Sequence, residues 1–133
     1  MSETVTGAQM AQAVEDYRAH ANGSNGMFKH WLGLKFTSGM QLVAETCGAH
    51  WLLDLIASHQ PRLRRFDFQV WKLYQSNRRN PNRWTAECWT DSPCADGSRR
   101  LIQQRIEYSD FPPELAPFEC WVEYGTAMLK EER

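Results

Sequence analysis

Met10, Ala13, Val14 and Tyr17 recur at helical spacing while Glu15, Asp16 and Arg18 fall elsewhere, which predicts a short amphipathic helix over residues 8–20. The run Ala21-Asn22-Gly23-Ser24-Asn25-Gly26 combines helix-stopping and turn residues and predicts a flexible connector. Between Phe28 and Phe36, the residues Trp31, Leu32 and Leu34 favour an extended segment that Gly33 weakens. Ser38 suits an N-cap for a long helix reaching about His59, with Val43, Cys47, Trp51, Leu55 and Ile56 on one buried stripe. Gly48 falls inside that helix. Glycine costs about 1 kcal/mol relative to alanine in a helix interior, so it marks a kink, a break or a close backbone approach, and Pro61 ends the element.

After the basic Arg62-Leu63-Arg64-Arg65 loop the period changes from helical to strand-like, over 66–75, 83–90, 101–108 and 118–124. Asn80-Pro81-Asn82, then Ser92-Pro93 with Asp96-Gly97, then Phe111-Pro112-Pro113 supply the turns. These elements predict an α+β fold: an antiparallel four- to five-stranded sheet packed against one long interrupted helix, with an N-terminal amphipathic helix. At 133 residues the chain fits a single domain, 1–133, divided into an N-terminal helix and connector over 1–26 and a core over 27–133.

Alternation also assigns faces. Trp84, Ala86 and Cys88 point one way and Thr85, Glu87 and Trp89 the other; Phe118, Cys120, Val122 and Tyr124 alternate with Glu119, Trp121 and Glu123. Trp89 and Trp121 therefore fall on a nominally polar face, which predicts cover by the first helix, a second subunit or a partner. Trp51 and Trp71 are expected in the core.

Four blocks stand out: Thr37-Ser38-Gly39, Gly48-Ala49-His50-Trp51-Leu52-Leu53-Asp54, Phe68-Gln69-Val70-Trp71-Lys72-Leu73 and Tyr108-Ser109-Asp110-Phe111-Pro112. Over about residues 28–124 their order and spacing resemble a domain-of-unknown-function family of small proteins carried by bacterial phages, plasmids and integrative elements. The resemblance implies an α+β fold and a mobile-element setting, and it supplies no activity. The long N-terminal helix and the ending Leu129-Lys130-Glu131-Glu132-Arg133 depart from that pattern.

Fifteen Lys and Arg against sixteen Asp and Glu leave no whole-molecule attraction to nucleic acid or an anionic membrane, so charge effects must be local. The N-terminus has neither the basic start nor the apolar run of a signal peptide, and no stretch approaches the roughly 18 apolar residues of a membrane span, so a cytoplasmic protein is expected. There Cys47, Cys88, Cys94 and Cys120 would be reduced thiols; oxidised, they would permit three pairings that spacing does not choose between.

Cys47, His50 and Asp54 can be drawn as a nucleophile, base and carboxylate. Three groups along one helix seldom converge on one substrate atom, so no catalytic residue is expected. Cys88 and Cys94 lack knuckle spacing for zinc, and the glycines of 23–26 lack a phosphate-binding lysine and strand, so neither metal nor cofactor is expected. Arginines cluster at Arg62, Arg64 and Arg65, at Arg78, Arg79 and Arg83, and at Arg99, Arg100 and Arg105, the first and third sets near one end of the sheet and the second near the other.

With no reactive set and an aromatic sheet face, the expected function is non-catalytic binding to a host protein or complex, the resemblance pointing to inhibition of host defence of the anti-CRISPR kind. Trp89, Trp121, Arg78, Arg79, Arg83, Arg99 and Arg100 are the binding candidates. The alternative is a nucleic-acid-binding accessory protein of a mobile element, with arginines on phosphates and tryptophans on bases. The same face or an edge strand also permits a homodimer.

Overall fold

The computed structural model describes residues 7–20, 27–30, 32–75, 79, 82–91, 96–109 and 111–130. Arg78, Cys94, Trp31, the 21–26 connector, Asn80-Pro81 and Ser92-Pro93 lie outside them. Three helices, α1 (Gly7–His20), α2 (Ser38–Thr46) and α3 (His50–His59), accompany seven strands. These are β1 (Met27–Lys29), β2 (Lys35–Thr37), β3 (Phe68–Gln75), β4 (Trp84–Trp89), β5 (Arg100–Ile106), β6 (Phe118–Glu123) and β7 (Thr126–Met128). They make one sheet in the order β1-β2-β7-β6-β3-β4-β5, antiparallel throughout except where β2 runs parallel to β7.

Two expectations fail here. The sheet is seven-stranded and mixed, where a four- to five-stranded antiparallel one was expected, and three short helices replace one long interrupted helix beside an N-terminal one. The four long strands fall where alternation placed them. The extra strands are three residues each, too short to show a period. The segment around Gly33 is a hairpin of β1 and β2, registered Met27↔Thr37 and Lys29↔Lys35. β7 follows β6 through Tyr124-Gly125, with φ of 50° and 78°. Two consecutive positive φ values define the tight turn whose twist suits a hairpin.

The long helix breaks at Gly48, which has φ +61°. Ala49 N–H reaches back to Ala44 O at 2.9 Å and Cys47 N–H to Val43 O at 2.9 Å, so the ends of α2 are closed in the manner of a left-handed glycine C-cap. A β-carbon on Gly48 would meet no atom within 4 Å. Gly48→Ala therefore pays only backbone strain, about 1 kcal/mol, and should lower Tm by about 4 °C. Inside a continuous helix the same change would raise it, so the sign of the shift tests the break. At the other end of α2 the N-cap is Thr37, not Ser38: Thr37 Oγ1 accepts from Met40 N–H at 3.3 Å. Ser38 Oγ instead bonds the Tyr17 hydroxyl at 2.9 Å, linking α1 to α2.

All three helices lie on one side of the sheet. Val14, Met40, Val43, Leu52 and Ile56 are buried with Trp71, Leu73, Trp84, Cys88, Phe118, Cys120 and Val122 in one core. Trp51 packs against this core partly buried. Gln69 is a polar side chain deep in the layer, 1 % exposed. Its Oε1 accepts from Trp71 Nε1 at 3.0 Å and Gln60 Nε2 at 2.9 Å, and its Nε2 donates to Gln60 Oε1 at 3.0 Å. Such a reciprocal amide pair satisfies groups that would otherwise be costly to bury.

Candidate functional site

Because β3 alternates, Gln69, Trp71 and Leu73 enter the core and Phe68, Val70, Lys72 and Tyr74 project from the opposite face. α1 packs on α2 and on the 3-10 turn Pro113–Leu115 and buries Ala11 and Val14 on the helix side, while Ala116 and Pro117 border the opposite face beside Tyr74 and Glu87. The expectation that the first helix shields Trp89 and Trp121 is thereby set aside.

On either side of β3 stands the same tripeptide. Glu87-Cys88-Trp89 in β4 and Glu119-Cys120-Trp121 in β6 are in register with Val70-Trp71-Lys72: Val70 faces both tryptophans, Trp71 both cysteines and Lys72 both glutamates. Both neighbours are antiparallel to β3 and so parallel to each other, and the repeat is a translation by two strand spacings, about 9–10 Å. The cysteines, buried, point inward. Outward, each indole N–H donates to the glutamate two residues earlier, Trp89 to Glu87 at 3.2 Å and Trp121 to Glu119 at 3.1 Å. Both indoles are half-buried, Trp121 meets the Phe68 ring edge-on at 5.2 Å, and Val70 between them is 1 % exposed. With the N–H groups already engaged, what the tryptophans offer a partner is ring surface.

Glu87 is the polar hub of the face. Besides the indole it accepts from the Tyr74 hydroxyl at 2.9 Å, Gln103 Nε2 at 3.2 Å and Arg100 at 3.3 Å. Burial, then the hydrogen bond and negative charge of Glu87, push the Tyr74 phenol above its ordinary value, with Gln103 and Arg100 opposing. Beside it Lys72, Tyr74, Gln75, Glu87, Ala116 and Pro117 line a shallow depression of about 450 Å³.

The structure places the arginines differently from one another. Arg100 belongs to the Glu87 network. Arg99 is exposed just before β5, Arg79 is exposed in the β3–β4 turn, and Arg83, also exposed, lies 3.7 Å from Glu107. The two poles are real, but Arg105 pairs in register with Thr85 and so joins Arg83 at the far end of the strands, away from Arg99 and Arg100. Arg78 lies outside the described residues.

Cys47, His50 and Asp54 are not brought together. Cys47 is buried at the end of α2, where burial pushes its thiol up to about 11, and His50 is exposed. Asp54 pairs with His30, a residue the sequence did not single out: His30 Nε2 lies 2.5 Å from Asp54 Oδ1. Leu32 N–H donates to His30 Nδ1 at 3.0 Å, which makes Nδ1 the acceptor and puts the ring proton on Nε2. Nε2 thus ties the β1–β2 loop to α3, and Nδ1 braces the loop internally. Among the described residues no three His, Cys, Asp or Glu side chains form a metal-holding group, and no helix is long and apolar enough to cross a membrane.

Glu87, Glu119 and Val70 were missed as site residues, although a signal for two of them was present: Glu-Cys-Trp occurs twice, on two of the strands that alternation had already oriented.

The fold is α+β, and over residues 12–133 the chain matches a family of unknown function. It belongs to that family, DUF6876. The match extends beyond residues 28–124, which carry the four blocks, and takes in most of α1 and the C-terminal residues. No curated protein and no solved structure matches the chain.

Proposed function

We propose that this protein is a non-catalytic binding protein that docks a partner protein or complex on its open sheet face. The observation that carries the reading is the Trp89–Val70–Trp121 row, with both indoles half-exposed on the sheet face opposite the helix-side core, since aromatic side chains held rigidly at low entropic cost are the usual anchors of protein interfaces. On that face the carboxylates of Glu87, Glu119 and Glu123 are interleaved with Lys72 and Arg100, a mixed surface that suits a protein better than the uniformly positive one phosphates require. Carriage by a phage, plasmid or integrative element, residence in the bacterial cytoplasm, and inhibition of a host defence complex in the anti-CRISPR manner extend this reading. That extension rests on the resemblance of the four sequence blocks alone.

The test is capture from a bacterial lysate on immobilised protein, with and without nuclease. Trp121→Ala and Trp89→Ala should each weaken retention of the captured protein by about 2 kcal/mol, roughly 30-fold, and nuclease should leave it unchanged. Retention lost to nuclease and, without nuclease, weakened steeply as salt is raised would transfer the site to nucleic acid. Retention indifferent to both tryptophans would remove the sheet face from the function.

A further inference from the structure

β5 is an edge strand seven residues long, and no described strand pairs with its outer side. An unpaired edge presents alternate N–H and C=O groups to whatever extended chain arrives, and natural proteins usually blunt it with charge. Here the charge on the strand itself has one sign, and the exposed carboxylate of Glu107 just after it lies 3.7 Å from Arg83. Arg100 and Arg105 lie on the strand, Arg99 precedes it, and Arg100–Ile106 contains no carboxylate. Among the described residues neither Arg99 nor Arg105 has a carboxylate within 4.0 Å, while Arg100 shares Glu87 with three other donors.

The two faces of β5 differ in chemistry. Register puts Arg100, Gln103 and Arg105 on the open face beside Trp89, Glu87 and Thr85. Ile102 and Ile106, opposite Cys88 and Trp84, lie on the helix side, where they pack against the core yet remain part-exposed. Leu101, at the bulge beside Cys88 and Trp89, is likewise part-exposed against the core. A strand laid outside β5 would finish burying those aliphatic side chains with one set of its residues and meet the arginines with the alternate set. A second copy of this chain would bring its own Arg99, Arg100 and Arg105 to that seam with Glu107 as the one carboxylate flanking the strand, and so matches the edge less well than an acidic segment.

We infer that the outer edge of β5 is a strand-addition site for an extended partner segment in which acidic and apolar residues alternate. The inference rests on the protein-binding reading above and adds to it the chemistry of the partner. Backbone hydrogen bonds along the edge supply affinity, and the arginines select the acidic residues and the register.

Three short labelled peptides test it by fluorescence anisotropy at low salt: one alternating glutamate and valine, one alternating lysine and valine, and the first with alternate backbone amides N-methylated. The glutamate peptide should bind about tenfold or more tighter than either of the others. Arg105→Glu, at an exposed position, should weaken the glutamate peptide about tenfold and strengthen the lysine peptide. Equal binding of the methylated and unmethylated peptides, no binding of the glutamate peptide, or its displacement by a single-stranded oligonucleotide with the same Arg105 dependence would overturn the inference. Trp121→Ala separates it from the broader reading. Lysate capture lost in Trp121→Ala, without peptide binding by the unaltered protein, ends the strand-addition site and leaves the docking face; peptide binding with capture indifferent to Trp121 does the reverse.

Discussion

Trp84→Ala should cost about 3–5 kcal/mol of folding stability, a large part of the roughly 5–15 kcal/mol that holds a domain together. Trp84 is 0 % exposed, its ring meets Phe111 edge-on at 5.4 Å, and Phe111 in turn lies 5.5 Å from Phe118, so truncation empties one end of an aromatic chain. The phenylalanine variants sharpen the test. Trp84 Nε1 is buried and finds no acceptor among the described residues, whereas Trp71 Nε1 donates to Gln69. Trp84→Phe removes a donor whose burial already costs about 1–3 kcal/mol, which offsets part of the void left by the smaller ring. Trp71→Phe loses a made hydrogen bond and leaves the void uncompensated. Urea unfolding should therefore rank Trp84→Phe well above Trp71→Phe in stability, and the opposite order would mean that Trp84 Nε1 is satisfied after all.

What the sequence revealed follows from the reach of each signal. β3, β4, β5 and β6 are long enough to alternate, and Trp84, Ala86, Cys88, Phe118, Cys120 and Val122 lie inward as the period required. Gly48 announced a disturbance without saying which kind, because a kink and a terminus both tolerate glycine; only the backbone turn at φ +61° distinguishes them. β1, β2 and β7 owe their existence to pairing. A three-residue strand has no period of its own, and β7 forms because Tyr124-Gly125 can reverse the chain and because β2, arriving from the other side, accepts a parallel neighbour.

The candidate site was legible only in part for the same reason. Alternation put Trp89 and Trp121 on the open face, where they stand. It could not show that both flank Val70, since register between strands separated by some thirty residues is a tertiary property. Nor could it join Asp54 to His30, which are 24 positions apart and meet only when the β1–β2 hairpin folds over α3. The cysteines illustrate the converse case. Read one by one they suggested chemistry; placed in register, two of them are the inward members of the tripeptides that orient the tryptophans.

Two buried thiols, Cys47 and Cys88, should make the fold sensitive to alkali. Burial pushes Cys47 from 9.0 up to about 11 and Cys88 from 9.0 up to about 12. Below pH 9 both thiols are neutral in the folded and the unfolded chain, and their contribution to stability is fully present. Above pH 9 the unfolded chain releases protons that the folded chain retains, so stability falls by about 1.4 kcal/mol per pH unit for each thiol, ending near pH 11 for Cys47 and pH 12 for Cys88. Between pH 9 and 11 the two together withdraw about 5 kcal/mol. Other groups titrate in this range, so the measurement is a difference: urea midpoints from pH 8 to 11 for the natural chain and for the Cys47→Ala, Cys88→Ala double variant. The variant starts lower, because two core positions are emptied, but its curve should be flatter by that same amount. A thiol reagent at pH 8 should label Cys47 and Cys88 only at the rate of unfolding. Parallel curves, or rapid labelling of the folded chain, would show that water already reaches the sulfurs and that the tryptophan row rests on a looser layer than the packing of β3, β4 and β6 implies.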